Sequence, residues 1–142
     1  MTGKQPKRKP RPGVDEYGRT PLHYAANDGN ASLCVDLLTA GADPNATDDN
    51  GWTPLHFAAQ VQSAEVTRLL LDAAAKTELR DSYGNTPLWR ATVTARGNGD
   101  VIALLRRAGA DPYAKNNYGN SPISIARETP TAQFFADLPK GR

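Results

Sequence analysis

Apolar residues return along this chain at helical rather than strand spacing. Leu33 and Leu37, Val66 and Leu70, Val101 and Leu105, and Phe134 and Leu138 form four pairs whose members lie four residues apart, which puts each pair on one face of a helix. Each pair predicts a short amphipathic helix, and the shared faces predict an apolar seam running from one helix to the next.

Upstream of every pair the same short motif comes back. Thr20-Pro21-Leu22 returns as Thr53-Pro54-Leu55, Thr86-Pro87-Leu88 and Ser121-Pro122-Ile123, at intervals of 33, 33 and 35 residues. Self-similarity at such a period is the mark of a repeat architecture, in which each unit buries its apolar face only against its neighbours. Tyr17-Gly18-Arg19, Asn50-Gly51-Trp52, Tyr83-Gly84-Asn85 and Tyr118-Gly119-Asn120 precede the four copies, and glycine there supplies the positive φ of a tight hairpin tip. The Thr or Ser that follows can cap a helix, with Pro at its first position, where a missing N–H leaves nothing unsatisfied. First helices are therefore expected near Thr20, Thr53, Thr86 and Ser121. Second helices are expected to open at Asn30, Ser63, Asn98 and Thr131, the third unit carrying two extra residues near Arg96-Gly97-Asn98-Gly99. Gly41-Ala42-Asp43 and Gly109-Ala110-Asp111 close the second helices of units one and three, where Gly adopts a left-handed conformation. Unit two has Ala74-Ala75-Lys76 in that place, so Ala74 either bears the strain or the helix ends differently.

Asp15 to Ala26 and Asp48 to Ala59 match the pattern D-x-x-G-x-T-P-L-H-x-A-A at almost every fixed position, and on these residues the chain resembles the ankyrin repeat family over about residues 14 to 139. The resemblance implies an all-α solenoid of four helix-turn-helix units, approximately 15–47, 48–80, 81–115 and 116–142, with projecting hairpin loops and a concave face. Residues 14–142 are expected to form one domain. Trp89 departs from the motif His and is expected to point into the stack, and Thr92 departs from the second Ala. The fourth unit, with Thr129-Pro130 and Leu138-Pro139, reads as a terminal cap whose Ile123, Ile125, Phe134 and Phe135 contact unit three.

Composition narrows the function. With 39% apolar residues in 142 the chain can bury a core without disulfides or metals, and Cys34, the single cysteine, suits a reducing compartment. No apolar run approaches the roughly 20 residues that span a bilayer, and the N-terminus is basic where a signal peptide would be apolar, so a soluble, cytoplasmic protein is expected. The formal charge is +2, but Lys4, Lys7, Arg8, Lys9 and Arg11 lie in the first eleven residues; without them 12 bases face 15 acids. A mildly acidic body argues against a phosphate-tracking face. The Pro-rich segment 1–13 is expected to be a disordered basic tail, read as a solvated tail, a nuclear-localisation signal or an arm for an acidic partner.

No catalytic residue, cofactor or metal site is expected. His23 and His56 are the only histidines and share one motif position 33 residues apart; catalysis or zinc would need several groups converging on one point. In the family the resemblance names, this His ties the first helix to the hairpin. Cys34 reads as a packed filler, the glycines form no phosphate loop, and Asp15, Asp48 and Asp81 recur at the spacing of hairpin structure.

The resemblance implies a protein-binding module, monomeric when free, with its partner on the concave face and hairpin tips. Tyr17, Asn50, Tyr83 and Tyr118 share one tip position, Arg19, Trp52 and Asn85 the next but one, and Tyr24, Phe57 and Arg90 follow the motif His or its replacement. Aromatic and arginine side chains carry most hot-spot energy, although Trp52 and Phe57 could instead pack between repeats. Small free-standing ankyrin proteins of bacteria look similar, some of them immunity proteins that neutralise a toxin, and inhibition by occlusion is the preferred reading. The alternatives are a eukaryotic nuclear regulator of the kinase-inhibitor type and a nucleic-acid-associated protein anchored by the basic tail.

Overall fold

The computed structural model describes residues 11–139, and over these the chain is helical throughout, without strands. Seven α-helices follow in order: α1 (Pro21–Asn27), α2 (Ala31–Thr39), α3 (Pro54–Gln60), α4 (Ala64–Asp72), α5 (Pro87–Thr94), α6 (Asp100–Arg107) and α7 (Pro122–Ala126). A 3-10 helix, Pro130–Phe135, closes the stack. The first helices pack in series, α1 on α3, α3 on α5 and α5 on α7, while α2, α4 and α6 form the second row. The solenoid expected from the repeat is the observed fold.

Local chemistry starts each first helix as the sequence implies. Thr20, Thr53, Thr86 and Ser121 are the N-caps of α1, α3, α5 and α7, each accepting from the backbone N–H three residues on, with Pro at the first helical position. These caps satisfy donors that a helix start otherwise leaves open. The Leu that follows Pro is fully buried in the first three units, and Ala25, Ala58 and Ala91 are small enough to let adjacent first helices approach closely. Thr92, in place of a second Ala, fits because its buried hydroxyl donates back to the Leu88 carbonyl at 2.7 Å.

The second row differs from expectation in three places. Leu33 does not reach the seam: α2 packs against α1 and α4, yet Leu33 is 41% exposed and Cys34 beside it is fully buried instead. The deepest shared position is therefore Cys34, Thr67, Ile102 and Phe135, joined by Val66, Val101, Leu70 and Leu105. Asn98 is not the cap of α6. Gly99 takes that position with no side-chain bond, Asn98 accepting instead from the Asp100 N–H. The Phe134 ring lies where a Cβ on residue 99 would sit, so packing of the last unit excludes a larger cap. Thr131, finally, is buried rather than capping; Thr129 caps the last helix, and Pro130 follows at its start in a 3-10 turn.

The two extra residues of unit three are shared between helix and turn. α5 has 8 residues against 7 in α1 and α3, and the link to α6 is longer than its counterparts, with Arg96 at φ 46° and Gly97 at φ 86°. In unit two the equivalent turn places Gln62 at φ 59°. Its side-chain amide Nε2 donates to the Ala91 carbonyl at 2.8 Å and to Thr94 Oγ1 at 2.9 Å, which ties unit two to unit three and offsets the backbone strain. Ala74 itself adopts the left-handed conformation, φ 66°, where Gly41 and Gly109 stand at 98° and 94°.

Candidate protein-binding surface

Each hairpin tip is organised by one side chain. Oδ1 of Asp15, Asp48, Asp81 and Asn116 accepts from the backbone N–H two residues on and again four residues on, all within 2.8–3.0 Å. Gly18, Gly51, Gly84 and Gly119 then turn the chain at positive φ. Neighbouring tips are joined by single backbone bonds, Asp49 to Tyr17, Ser82 to Asn50 and Asn117 to Tyr83, each 2.9 Å. The tips therefore form a continuous rim whose side chains project from a fixed backbone.

The two histidines lock this rim to the helices. Nδ1 of His23 accepts from the Thr20 N–H at 2.9 Å, which leaves the proton on Nε2 to be donated to the Trp52 carbonyl of the next unit at 2.9 Å. His56 repeats the arrangement with Thr53, at 3.1 Å, and the Asn85 carbonyl, at 2.8 Å. Burial holds both rings neutral: it lowers the pKa of His23, and lowers that of His56 to about 4. They are structural ties between repeats. Trp89, in the third copy of this position, is half-buried with its Nε1 buried and without a partner, so the tie is not repeated between units three and four.

Six of the ten residues expected at a binding surface come together in one band. The Arg19 guanidinium carbon lies 5.1 Å from the Tyr17 ring centre, 5.9 Å from Tyr24 and 5.4 Å from Phe57. Phe57 packs on Trp52 at 4.8 Å, and Arg90 stacks over Trp52 at 4.4 Å and over Trp89 at 5.4 Å. Two ion pairs fix the arginines: Arg19 Nε to Asp48 Oδ2 at 3.2 Å across units, and Arg90 Nη2 to Asp81 Oδ2 at 2.8 Å. Tyr24 donates to Asp15 Oδ2, and that bond lowers the pKa of Asp15 and raises that of Tyr24. The aspartates that build the tips thus also position the arginines, a double role that their row in the sequence did not reveal.

The remaining expected residues divide. Tyr83 and Tyr118 project from the rim, 54% and 73% exposed, and Asn50 is exposed at the second tip. Asn85 does not project. It is 4% exposed and accepts from Asn116 Nδ2 at 2.9 Å, because the next hairpin folds over it, so its side chain belongs to the inter-repeat packing. Trp52 and Phe57 are half-buried and pack between units, Phe57 against His23 and Arg19 of unit one and Trp52 against Arg90 of unit three.

The family model for ankyrin repeats (3 copies) matches residues 22–116, more than half of the chain. The chain belongs to the ankyrin repeat family. No curated protein matches it. As an ankyrin repeat protein it is a protein–protein interaction module, of a kind that is generally non-enzymatic. Among the described residues no helix is long and apolar enough to cross a membrane. The tail expected over residues 1–13 falls mostly outside the described residues; Arg11 is within them, and its guanidinium forks onto Asp49 with bonds of 2.9 and 3.1 Å.

Proposed function

We propose that this ankyrin repeat protein binds one partner protein along the tips and first helices of units one to three and inhibits it by occlusion, as an immunity protein blocks a toxin. The observation that carries this reading is the continuous band Tyr17, Arg19, Tyr24, Phe57, Trp52 and Arg90, whose rings and guanidinium groups are held in place by Asp48 and Asp81 before any partner arrives. Side chains already ordered lose little entropy on binding, which is how a surface of modest size reaches useful affinity. A scaffold whose repeats are tied to one another through His23 and His56 suits capture of a folded partner with little rearrangement.

The test places a photocrosslinking amino acid at position 17 or 24 and, in a second pair of variants, at position 68 or 107 on the exposed faces of α4 and α6. A single adduct from positions 17 and 24 is expected in native lysate. The purified partner should then lose its activity at one equivalent of this chain, and growth arrest by the partner should be relieved by co-expression. Adducts only from positions 68 and 107, or a saturated partner that stays fully active, would overturn the proposal.

A further inference from the structure

Two Asn-Gly pairs stand in this chain, Asn50-Gly51 at the second tip and Asn98-Gly99 in the lengthened turn of unit three. Asparagine is chemically labile, and its pair with glycine is the most reactive form, because no Cβ shields the following backbone nitrogen from the side-chain amide. Both asparagines are exposed, so exposure does not separate them. Their backbones do.

At the second tip the pair is locked. The Gly51 N–H donates to the Asp48 carbonyl and the Ser82 N–H to the Asn50 carbonyl, each at 2.9 Å, while Asp48 Oδ1 holds the Asn50 N–H. Residue 51 also lies against the Asp81 backbone, 3.0 Å from where a Cβ would stand. Ring closure at Asn50 requires the peptide between Asn50 and Gly51 to turn, and these bonds oppose it. At Asn98 the arrangement is the reverse. The Gly99 N–H donates to no group among the described residues, and a Cβ at Gly97 would meet nothing within 4 Å, so the turn is open on that side. Asn98 Oδ1 accepts from the Asp100 N–H at 3.0 Å, which polarises the amide carbon and stabilises the negative charge that nucleophilic attack puts on that oxygen.

We propose that Asn98 is a site of spontaneous deamidation, and that its isoaspartate product loosens the last unit from the stack. The Gly99 nitrogen gives up its proton to solvent base and attacks Asn98 Cγ. As that N–C bond forms, the bond from Cγ to the side-chain nitrogen breaks, and ammonia leaves with a proton taken from water. Water then opens the cyclic succinimide. Cleavage at the side-chain carbonyl gives aspartate with the backbone unchanged; cleavage at the main-chain carbonyl gives isoaspartate, in which the chain runs through Cβ.

The two products act differently on the fold. Aspartate places a carboxylate near the start of α6, where the helix dipole favours it. Isoaspartate adds a main-chain atom directly before Gly99, on which the Phe134 ring packs so closely that a Cβ would meet it. The histidine tie is missing at this junction, with Trp89 in its place. Arg106, on the same helix α6, bonds the Phe134 carbonyl at 2.8 Å and Asp137 Oδ2 at 2.8 Å, so a shift at the start of α6 reaches these contacts too.

The experiment incubates the full chain at mildly alkaline pH. Digests taken over time are read by mass spectrometry for the mass gain of an amide becoming a carboxylate, and an isoaspartate-specific methyltransferase marks the second product. Asn98 should react at least about fivefold faster than Asn50, the factor that one backbone hydrogen bond on the attacking nitrogen supplies. In concentrated urea, where those bonds are gone, the two should react at similar rates. The isoaspartate form, separated by chromatography, should exchange the amide hydrogens of residues 122–138 faster than fresh protein, whereas Asn98→Asp should exchange them like the parent. Asn98→Ser, which cannot close the ring, should keep its exchange pattern on ageing. An Asn98 that stays intact, an Asn50 that reacts as fast in the folded chain, or a ratio that persists in urea would overturn the site. Equal exchange in the isoaspartate form and in Asn98→Asp, or the same ageing in Asn98→Ser, would overturn the loosening.

Discussion

Ala74→Gly isolates the cost of one backbone conformation. Ala74 sits at φ 66° just past the end of α4, its N–H bonded to the Leu71 carbonyl at 3.0 Å, and Ala75 N–H reaches the Leu70 carbonyl at the same distance. Gly41 makes the matching bond to Leu38 and Gly109 to Arg106, again at 3.0 Å, so the three turns share one hydrogen-bonding pattern and differ in whether a Cβ is present. A non-glycine residue in this region costs about 1–2 kcal/mol. Glycine loosens the unfolded chain by about 0.4–1 kcal/mol in the other direction. The Ala74 methyl is exposed, so little burial is lost, and the net gain is about 0.5–1 kcal/mol. For a chain of 142 residues that corresponds to a rise in Tm of roughly 2–4 °C. Thermal melts followed by circular dichroism, with a urea midpoint that rises at constant slope, measure it. Gly41→Ala and Gly109→Ala provide the reverse test, since a Cβ at either site meets nothing within 4 Å and any loss is conformational. A Tm for Ala74→Gly at or below that of the parent, or a Gly41→Ala that loses no stability, would refute the strain argument.

Acid should destabilise the fold before its carboxylates titrate. His56, held neutral with a pKa of about 4, takes up its proton in the unfolded chain near 6.5, so its contribution is complete above pH 6.5 and is lost as pH falls from there to about 4. The loss amounts to about 3 kcal/mol; His23 acts in the same direction, and calorimetric melts between pH 7 and 4 with NMR titration of the His56 ring check both. Asn85→Ala leaves Asn116 Nδ2 without its acceptor and should cost about 1–3 kcal/mol in a urea melt, with the tip residues undisturbed. Tyr17→Ala and Tyr24→Ala should each weaken partner binding by about 2 kcal/mol while melting near the parent; Trp52→Ala should lose stability as well, because Phe57 and Arg90 both pack on its ring. Normal binding by both tyrosine variants, with loss in Arg68→Ala or Arg107→Ala, would move the interface to the second helices. A chain starting at Val14 should melt close to the full chain, because an exposed ion pair such as Arg11 with Asp49 contributes little, and a large drop in Tm would show that residues before Val14 pack on the body.

What the sequence by itself determined is the part of the structure made by local chemistry at a fixed period. Glycine tips, Thr or Ser caps followed by Pro, and leucine two residues after the cap are choices made within a few residues, so the turns and starts of α1, α3, α5 and α7 were legible with their register. The second row was less so. Asn98 and Thr131 look like caps, but the Phe134 ring against Gly99 and the Thr129-Pro130 turn decide those starts, and that packing couples residues about 35 apart. Likewise Leu33 and Cys34 are adjacent on one helix, and only the packing of α2 against α1 and α4 determines which is buried. The binding surface shows the same division. Its aromatic and arginine residues could be lined up by repeat position, yet the joining of Arg19 to Asp48 in the next unit, the stacking of Arg90 on Trp52 and the burial of Asn85 depend on how far one repeat is rotated against the next. That rotation is set by the summed contacts of whole helix faces, and no single residue carries it.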